Sequence, residues 1–186
     1  MNVLEAIYTR RSVRKYAEAE VDRATIERLL QAAVQAPTGM NAQPWTFGVI
    51  QGTELLRSYS DRAKAALLSK LDQYPPLEKY RGTLEDPAAN LFHGAPALVL
   101  IYARAAGPLA ALDCCLAAEN LLLAATEMAL GTCWIGLSSI LFDSAEMKTE
   151  LGVPTDYTCV AQLIVGYPDG PTPPVEKNPP QILFWQ

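Results

Sequence analysis

The hydrophobic residues of this chain recur at spacings that predict several helices. An N-cap pair that begins at Asn2 predicts a short helix over residues 3–9. Apolar residues three and four positions apart predict a second helix, which begins after the N-cap Asp22 and is stopped by Pro37. A third helix is predicted over residues 53–74, capped by its first residue and ended by a proline pair.

Apolar runs separate these helices and predict strands. Residues 46–50 follow a loop at residues 37–45 that is rich in proline, glycine and amide side chains. The runs 96–102 and 158–167 are mostly apolar, which is typical of strands covered on both faces. Residues 75–95 show little periodicity, so they are predicted to form a lid or binding loop, or to contain a short helix.

The most hydrophobic segment, residues 110–130, is long enough to span a membrane. Its three carboxylates belong to Asp113, Glu119 and Glu127. Each would cost roughly 2.5–3.5 kcal/mol at the centre of a bilayer, so we interpret the segment as a buried central helix and expect no membrane association. It is predicted to end at the C-cap Gly131. Asp143 and Glu146 then predict the start of a short helix that ends at Gly152.

Length and composition predict one domain over residues 1–186 that buries apolar surface against a second subunit. Half of the residues are hydrophobic and only 19% are charged, which is a high apolar content for a small monomer. Six of the thirteen residues from 168 to 180 are proline, so this stretch is predicted to be extended. The apolar residues 182–185 should dock on their own sheet or on a partner.

Charge and cysteine content limit the functional classes. The formal net charge of -5 argues against nucleic-acid binding, because a polyanion would be repelled everywhere except at a local basic patch. The four cysteines show no Cys-x-x-Cys spacing and have apolar neighbours, which indicates free thiols in a reducing compartment. The first residues show no signal-peptide pattern, so a cytoplasmic protein is expected.

One segment, residues 9–16, concentrates positive charge in this acidic chain. Its four cations fall within six positions around Ser12 and are Arg10, Arg11, Arg14 and Lys15. Guanidinium groups bind phosphate or carboxylate oxygens in a bidentate manner, and Ser12 adds a neutral donor, so the segment predicts an anion site. The alternative is a solvated basic surface without a ligand.

Other catalytic constellations have little support. His93 is the only histidine and has no metal-ligand spacing around it, so no metal site is predicted and His93 is interpreted as a loop residue. The Gly-x-Ser-x-Gly, Walker and Gly-x-Gly-x-x-Gly motifs do not occur. A cationic site in a chain with few candidate acids, bases or nucleophiles suggests that a cofactor carries the reaction.

A flavin fits this chemistry. Its phosphate suits arginine, and its pyrimidine edge suits the amide of Asn41 or Gln43. Negative charge develops at that edge on reduction, where a guanidinium such as that of Arg14 would stabilise it. The ring needs apolar walls, for which the candidates are Trp134, Ile135 and Leu137.

Five segments of the chain occur together and in order. They are Arg10-Arg-Ser-Val-Arg14, Ala36-Pro-Thr-Gly-Met-Asn-Ala-Gln-Pro-Trp45, Ala95-Pro96 before a strand, Ala124-Ala125 to Gly131-Thr-Cys-Trp-Ile-Gly136, and Gly166-Tyr-Pro168 followed by a basic residue in a proline-rich tail. With these segments the chain resembles the FMN-dependent nitroreductase-like flavoproteins. The match covers most of the chain and is specific for the family, though not for a substrate.

The resemblance implies an α+β fold with a central mixed, mainly antiparallel sheet flanked by helices. It also implies an intertwined homodimer whose FMN sites are made by both subunits, with the extension 168–186 docking on the partner. The residues implied on the phosphate side are Arg10, Ser12 and Lys177, with Arg11 as a further member and Arg14 at the pyrimidine edge. The other subunit would contribute Pro37, Thr38, Gly39 and Asn41, while Trp134, Ile135 and Gly136 would run past the ring.

The function implied by the resemblance is a ping-pong oxidoreductase that passes hydride from NAD(P)H through FMN to an oxidised acceptor such as a nitroaromatic or quinone. No side chain is required as a catalytic acid or base. Open alternatives are a family member with other flavin chemistry, namely reductive dehalogenation or flavin cleavage, and a non-catalytic flavin-binding protein. Lys177 stands where many relatives have arginine. Tyr74, Tyr80 and Phe92 could cap the flavin or could pack in the core.

Overall fold

A four-stranded antiparallel sheet forms the centre of the protein. The structure is a computed structural model that describes residues 1–104 and 107–186. The strands are β1 Trp45–Gln51, β2 Ala97–Ala103, β3 Gly131–Trp134 and β4 Thr158–Gly166. Their order across the sheet is β1-β2-β4-β3, so β1 and β3 are the two edge strands. A single parallel bridge, Ser12 to Thr132, adds the basic segment to the β3 edge.

Seven helices among the described residues cover both faces of the sheet. They are α1 Val3–Thr9, α2 Arg23–Ala33, α3 Thr53–Leu68, α4 Arg81–Glu85, α5 Pro108–Glu127, α6 Ser139–Phe142 and α7 Ala145–Leu151. Helices α2 and α5 pack on one face, and α3, α6 and α7 close the second core on the other. Every residue of β2 is buried, as expected for a strand between two apolar layers. The α+β class is therefore confirmed.

The sequence predicted several helix ends correctly. The Asn2 side chain accepts from the Glu5 amide at 3.0 Å, and the Glu5 carboxylate accepts from the Asn2 amide at 2.9 Å, which completes a capping box. Asp22 caps α2 by accepting from the Thr25 amide. Gly152 ends α7 at a φ of 69°, a left-handed conformation that glycine adopts without steric penalty.

The third helix is shorter than predicted. Its N-cap is Gly52, with Thr53 as the first helical residue, and it ends at Leu68 and does not reach Tyr74. The Ser69 hydroxyl donates to the Ala66 carbonyl oxygen at 2.8 Å, a local bond that competes with continued helix. The stretch without periodicity contains 3-10 turns at Leu71–Gln73 and Pro75–Tyr80 and the short helix α4.

Two predicted caps were wrong. Helix α5 ends at Glu127, and the left-handed residue that reverses the chain is Ala129 at a φ of 58°. Gly131 instead opens β3, where an added Cβ would lie 2.8 Å from Val13, so close packing explains the glycine. The N-cap of α7 is Ser144, whose hydroxyl accepts from the Met147 amide at 3.2 Å.

Apolar side chains remain exposed on helix α5 and in the C-terminal chain. Helix α5 is long and apolar enough to cross a membrane, but it lies against the sheet with eight residues buried, as a core helix does. Its outer face exposes Leu109, Leu112 and Leu116. The chain from 171 to 186 forms no helix or strand, and Leu183 and Trp185 are 92% and 87% exposed. The apolar terminus therefore does not dock on its own sheet.

Candidate functional site

The basic segment lies along the outer edge of β3. The Val13 amide donates to the Thr132 carbonyl oxygen at 2.9 Å, next to the Ser12 bridge. Because Val13 is buried, the neighbouring side chains of Ser12 and Arg14 point away from the core. The Tyr16 hydroxyl donates to the Val13 carbonyl oxygen at 2.8 Å, and burial raises the pKa of Tyr16, which keeps this donor protonated.

A cavity of about 580 Å³ opens beside this segment and collects its positive charge. The cations that line it are Arg10, Arg11, Arg14, Lys15 and Lys177. Ser12 adds a hydroxyl to the lining, and Asp169 adds a carboxylate that pairs with Lys15 at 2.6 Å. The cavity is therefore strongly cationic in a protein that is acidic overall.

The first two arginines differ in how much of their donor capacity the protein itself uses. The Arg10 Nε lies 3.8 Å from the Glu119 Oε1, which is too long for a hydrogen bond and leaves the guanidinium donors available. The Arg11 Nη1 donates to the carbonyl oxygens of Tyr8 at 2.7 Å and of Arg10 at 2.8 Å, at the C-terminal end of α1. A ligand contact by Arg11 stays a prediction.

Lys177 enters the same cavity from the far end of the chain. After β4, Pro168 forms a bridge with Tyr16, and the Asp169 amide donates to the Lys15 carbonyl oxygen at 3.0 Å. The extended chain then follows the cavity from Pro171 to Lys177. The structure therefore brings Lys177 to the basic segment, while its contact with a phosphate stays a prediction.

A second cavity of about 1030 Å³ lies beyond Arg14, which lines both cavities. Trp134, Ile135 and Gly136 line it together with Leu137, where the sequence placed the walls of a ring site. The remaining apolar walls are Leu67, Leu77, Leu91 and Ile140. Apolar walls with a few polar groups are typical of small-molecule sites.

The turn after β3 exposes its backbone to the larger cavity. The Ile135 amide donates to the Gln162 carbonyl oxygen at 2.8 Å, and the Ser138 hydroxyl donates to the Ile135 carbonyl oxygen at 3.0 Å, so the turn is held from both sides. A Cβ added at Gly136 would meet no atom within 4 Å. Packing within the described chain therefore does not require glycine at 136, and the open space beside it suits the edge of a ligand.

The loop before β1 lies at the opposite edge of the sheet. The four residues implied to bind the cofactor from the other subunit are Pro37, Thr38, Gly39 and Asn41, and none of them lines either cavity. Met40 and Asn41 have left-handed φ angles of 52° and 56°, and the Asn41 Oδ1 accepts from the Gln43 Nε2 at 3.0 Å. Within one chain, the structure does not bring this loop to the basic segment.

The aromatic residues of the α3–β2 connection divide into two groups. Tyr74 and Tyr80 line the larger cavity. Phe92 is fully buried, and its ring centroid lies 6.3 Å from that of Phe142, so it packs in the core and does not cap a ligand. Tyrosines at the cavity wall can still contact a flat ligand.

Sequence reasoning missed several polar residues of the larger cavity, among them Lys70, Asn90 and His93. His93 adopts a φ of 54°, which is uncommon for a residue other than glycine. Its signal in the sequence was modest, since a lone imidazole before Gly94 and a strand resembles an ordinary turn. Cys159 also lines the cavity, and burial raises the pKa of its thiol to about 11, which favours the protonated form at neutral pH.

The family model described as Nitroreductase family matches residues 7–167 of the chain. A protein of Archaeoglobus fulgidus, provisionally named an NADH dehydrogenase/NAD(P)H nitroreductase, is 30% identical over 89% of this chain and 84% of its own length. The iodotyrosine deiodinase of Thermotoga neapolitana is 28% identical over 91% of this chain and 90% of its own. The 5,6-dimethylbenzimidazole synthase of Rhodospirillum rubrum is 29% identical over 98% of this chain and 89% of its own length.

Two solved structures resemble the whole fold. A nitroreductase with bound FMN from Bacteroides fragilis superposes with a TM-score of 0.84 at 28% identity and covers 99% of this chain and 97% of its own. A nitroreductase with bound FMN from Desulfitobacterium hafniense also gives a TM-score of 0.84, at 26% identity with full coverage of both chains.

Proposed function

The chain belongs to the nitroreductase family, and on that premise we propose that it is an FMN-dependent oxidoreductase acting between NAD(P)H and an oxidised acceptor such as a nitroaromatic or quinone. One observation carries the proposal. Arg14 lines both the cationic cavity, whose side chains suit a phosphate, and the larger apolar cavity. Gly136 also lines the larger cavity, with open space beside its backbone. A phosphorylated planar cofactor fits this pair of cavities.

The residues present suit FMN. Arg10, Ser12 and Lys177 would hold its phosphate, since guanidinium, hydroxyl and ammonium donors all match phosphate oxygens. Arg14 would lie at the pyrimidine edge, and the open backbone at Gly136 would lie beside the ring. When bound, FMN supplies hydride transfer through its N5 atom. The protein's part is to orient the ring, to favour its reduced state through Arg14, and to shape the acceptor cavity.

The proposed site is completed by a second copy of the chain. The loop 37–41 lies at the β1 edge and the basic segment at the β3 edge, so they can share one site only across a subunit interface. The exposed leucines of α5 and the exposed terminus 182–185 are apolar surfaces that such an interface would bury. In such a homodimer, the extension 168–186 of each subunit would pack on the partner subunit. Free cysteines are in keeping with a cytoplasmic location.

The absorption spectrum of the purified protein tests the proposal most directly. We expect a yellow protein that carries FMN, is bleached without oxygen by NADH or NADPH, and is recoloured by a quinone. Steady-state rates should show ping-pong kinetics, because donor and acceptor would use the same cavity in turn. A colourless protein that takes up no added FMN and oxidises neither nicotinamide would refute the proposal.

Two glycine variants should separate a ligand effect from a packing effect. Gly136→Ala places a methyl group in open space, so we expect unchanged thermal stability but weaker FMN binding. Gly131→Ala places a methyl group 2.8 Å from Val13, so we expect a destabilisation of about 1–3 kcal/mol. Thermal unfolding of the FMN-free variants and FMN titration measure the two effects. Equal FMN affinity of Gly136→Ala and wild type would remove Gly136 from the proposed site.

A second candidate function is a different flavin reaction in the same site. It is favoured by the relatives from Thermotoga neapolitana and Rhodospirillum rubrum, a deiodinase and a dimethylbenzimidazole synthase of similar length and identity. Incubating the reduced protein with an iodophenol under nitrogen, and separately under air, distinguishes these reactions. Released iodide would indicate dehalogenation, and breakdown of FMN under air would indicate flavin cleavage. Absence of both, with quinone turnover, supports the first proposal.

A further inference from the structure

A constrained turn carries His93 into the larger cavity. His93 and Gly94 have left-handed φ angles of 54° and 73°, and the His93 amide donates to the Asn90 carbonyl oxygen at 3.0 Å. The Asn90 Oδ1 accepts from the Phe92 amide at 2.9 Å, and the Phe92 side chain is buried in the core. A left-handed residue with a side chain costs about 1–2 kcal/mol, so the surrounding bonds hold His93 in a specific place.

The turn is also anchored to α3 on its far side. The Leu91 amide donates to the buried Ser60 hydroxyl at 2.8 Å, and the Lys64 ammonium donates to the Ala89 carbonyl oxygen at 2.8 Å. These contacts fix the backbone directly before His93. His93 therefore lines the cavity from a backbone that is held in place, and a residue that transfers a proton requires such a fixed position.

His93 shares this cavity with groups that cannot easily replace it as a proton carrier near neutral pH. The cations are Arg14 at the basic segment and Lys70 after α3, and the carboxylate is Asp143. Asp143 already accepts from the Lys148 ammonium at 2.8 Å and the Cys159 amide at 3.0 Å. The other titratable groups are the phenols of Tyr74 and Tyr80 and the thiols of Cys133 and Cys159. Imidazole is the side chain that ordinarily changes charge between pH 5 and 8.

We propose that His93 is a catalytic residue that takes up a proton when the cofactor beside Arg14 is reduced and donates it to the acceptor in the second half of the reaction. This inference rests on the proposed function. His93 would be a catalytic acid, whereas the family resemblance implies that no side chain is required as one. The acceptor would then meet the imidazole in the larger cavity.

The proton balance of the reaction leaves a place for such a donor. A quinone needs two electrons and two protons to become a hydroquinone, and hydride brings the two electrons and one proton. The acceptor oxygen then takes the second proton from a ring nitrogen of His93, so an N–H bond breaks and an O–H bond forms. The neutral imidazole is exposed and regains a proton from solvent when NAD(P)H next delivers hydride.

Electrostatics predict how reduction of the cofactor changes the protonation of His93. Partial burial, followed by the positive charge of Arg14, lowers the pKa of His93. Negative charge that develops at the pyrimidine edge would offset the charge of Arg14, so the pKa of His93 should rise when the cofactor is reduced. His93 would then bind a proton on reduction and lose it on reoxidation, in step with the reaction.

Proton NMR can test this coupling without measuring activity, because the untagged chain has one histidine. The C2 proton of the imidazole should titrate at a higher pH in the chemically reduced holoprotein than in the oxidised holoprotein. In the FMN-free protein, Arg14→Gln should also raise the pKa of His93, since it removes the neighbouring charge. A pKa of His93 that is the same in the oxidised and reduced proteins would overturn the proposal.

The His93→Asn variant tests the proton transfer itself. Asparagine tolerates the left-handed conformation, so thermal stability should be kept, whereas the acid is lost. Stopped-flow reduction by NAD(P)H should be unchanged, while reoxidation by a quinone at neutral pH should slow by about 100-fold. The wild-type reoxidation rate should fall as the pH rises through the pKa of His93, and the rate of the variant should not show this pH dependence. Normal FMN uptake by the variant with an unchanged reoxidation profile would refute the role of His93 alone, whereas failure of the wild-type protein to bind FMN would refute the proposed function.

Discussion

Replacing Arg10 by alanine is expected to weaken FMN binding by about 100-fold, since truncating one partner of a charge-assisted pair costs about 2–5 kcal/mol. Arg10 is the residue of the cationic cavity whose guanidinium is partly buried yet holds its nearest carboxylate, Glu119, only at 3.8 Å. Its donors are therefore available to a phosphate. Fluorescence titration of the FMN-free protein at fixed ionic strength measures the change, because the contribution of a phosphate contact depends on salt.

Two further variants give this prediction its controls. Arg10→Lys keeps the charge but loses the planar fork, so its affinity should fall between those of wild type and Arg10→Ala. Arg23→Ala removes an equal charge from the surface of α2, where Arg23 pairs with Glu27 at 2.7 Å, and should bind FMN as wild type does. If Arg10→Ala and Arg23→Ala retained the same affinity, the basic segment would be solvated surface and not a phosphate site.

Mixing two defective subunits should restore half of the FMN sites. Each proposed site combines Arg10 of one subunit with Asn41 of the other, so homodimers of Arg10→Ala or Asn41→Asp would carry two defective sites. A heterodimer of the two variants would contain one site with both changes and one site with neither. Purified through two different tags, it should bind one FMN per dimer with wild-type affinity.

The choice of variants keeps this experiment independent of folding defects. Asparagine and aspartate both tolerate the left-handed φ of 56° at position 41, so Asn41→Asp should change the charge near the cofactor without straining the loop. The homodimers of Arg10→Ala and of Asn41→Asp, tested separately, show how much each substitution alone weakens FMN binding. If FMN sites were built within single chains, every chain of the heterodimer would carry a lesion and no site would recover. That result would rule out the shared site while leaving FMN binding intact.

Local sequence signals predicted most of the secondary structure because they act over a few residues. The capping box of Asn2 and the left-handed Gly152 are examples, since each depends on contacts within one helical turn. The errors at Gly131 and Asp143 arose where a distant contact competed with a local one. Gly131 was assigned to a helix end, but its role is to allow the close approach of Val13. Asp143 was assigned as a cap, but it binds the Cys159 amide and Lys148.

The candidate site was predictable in its residue types and less so in its arrangement. Arg10, Ser12 and Arg14 could be identified because their charge and spacing are visible in eight residues of sequence. The aromatic residues of the α3–β2 connection could not be sorted, because burial depends on the whole core. Tyr80 lines the cavity, whereas Phe92, twelve positions later, packs against Phe142.

The sequence by itself determined the order of three strands and of the longer helices, the basic segment and the resemblance to a flavoprotein family, but it did not predict β3 or α6. The predicted features follow from periodicity, caps and short motifs, whose physics is local. Only the tertiary structure decided that Lys177 lines the same cavity as Arg10, that the loop 37–41 lies at the opposite edge of the sheet, and that His93 shares a cavity with Arg14. Such placements depend on strand order and on the packing of two cores, in which residues far apart in sequence become neighbours.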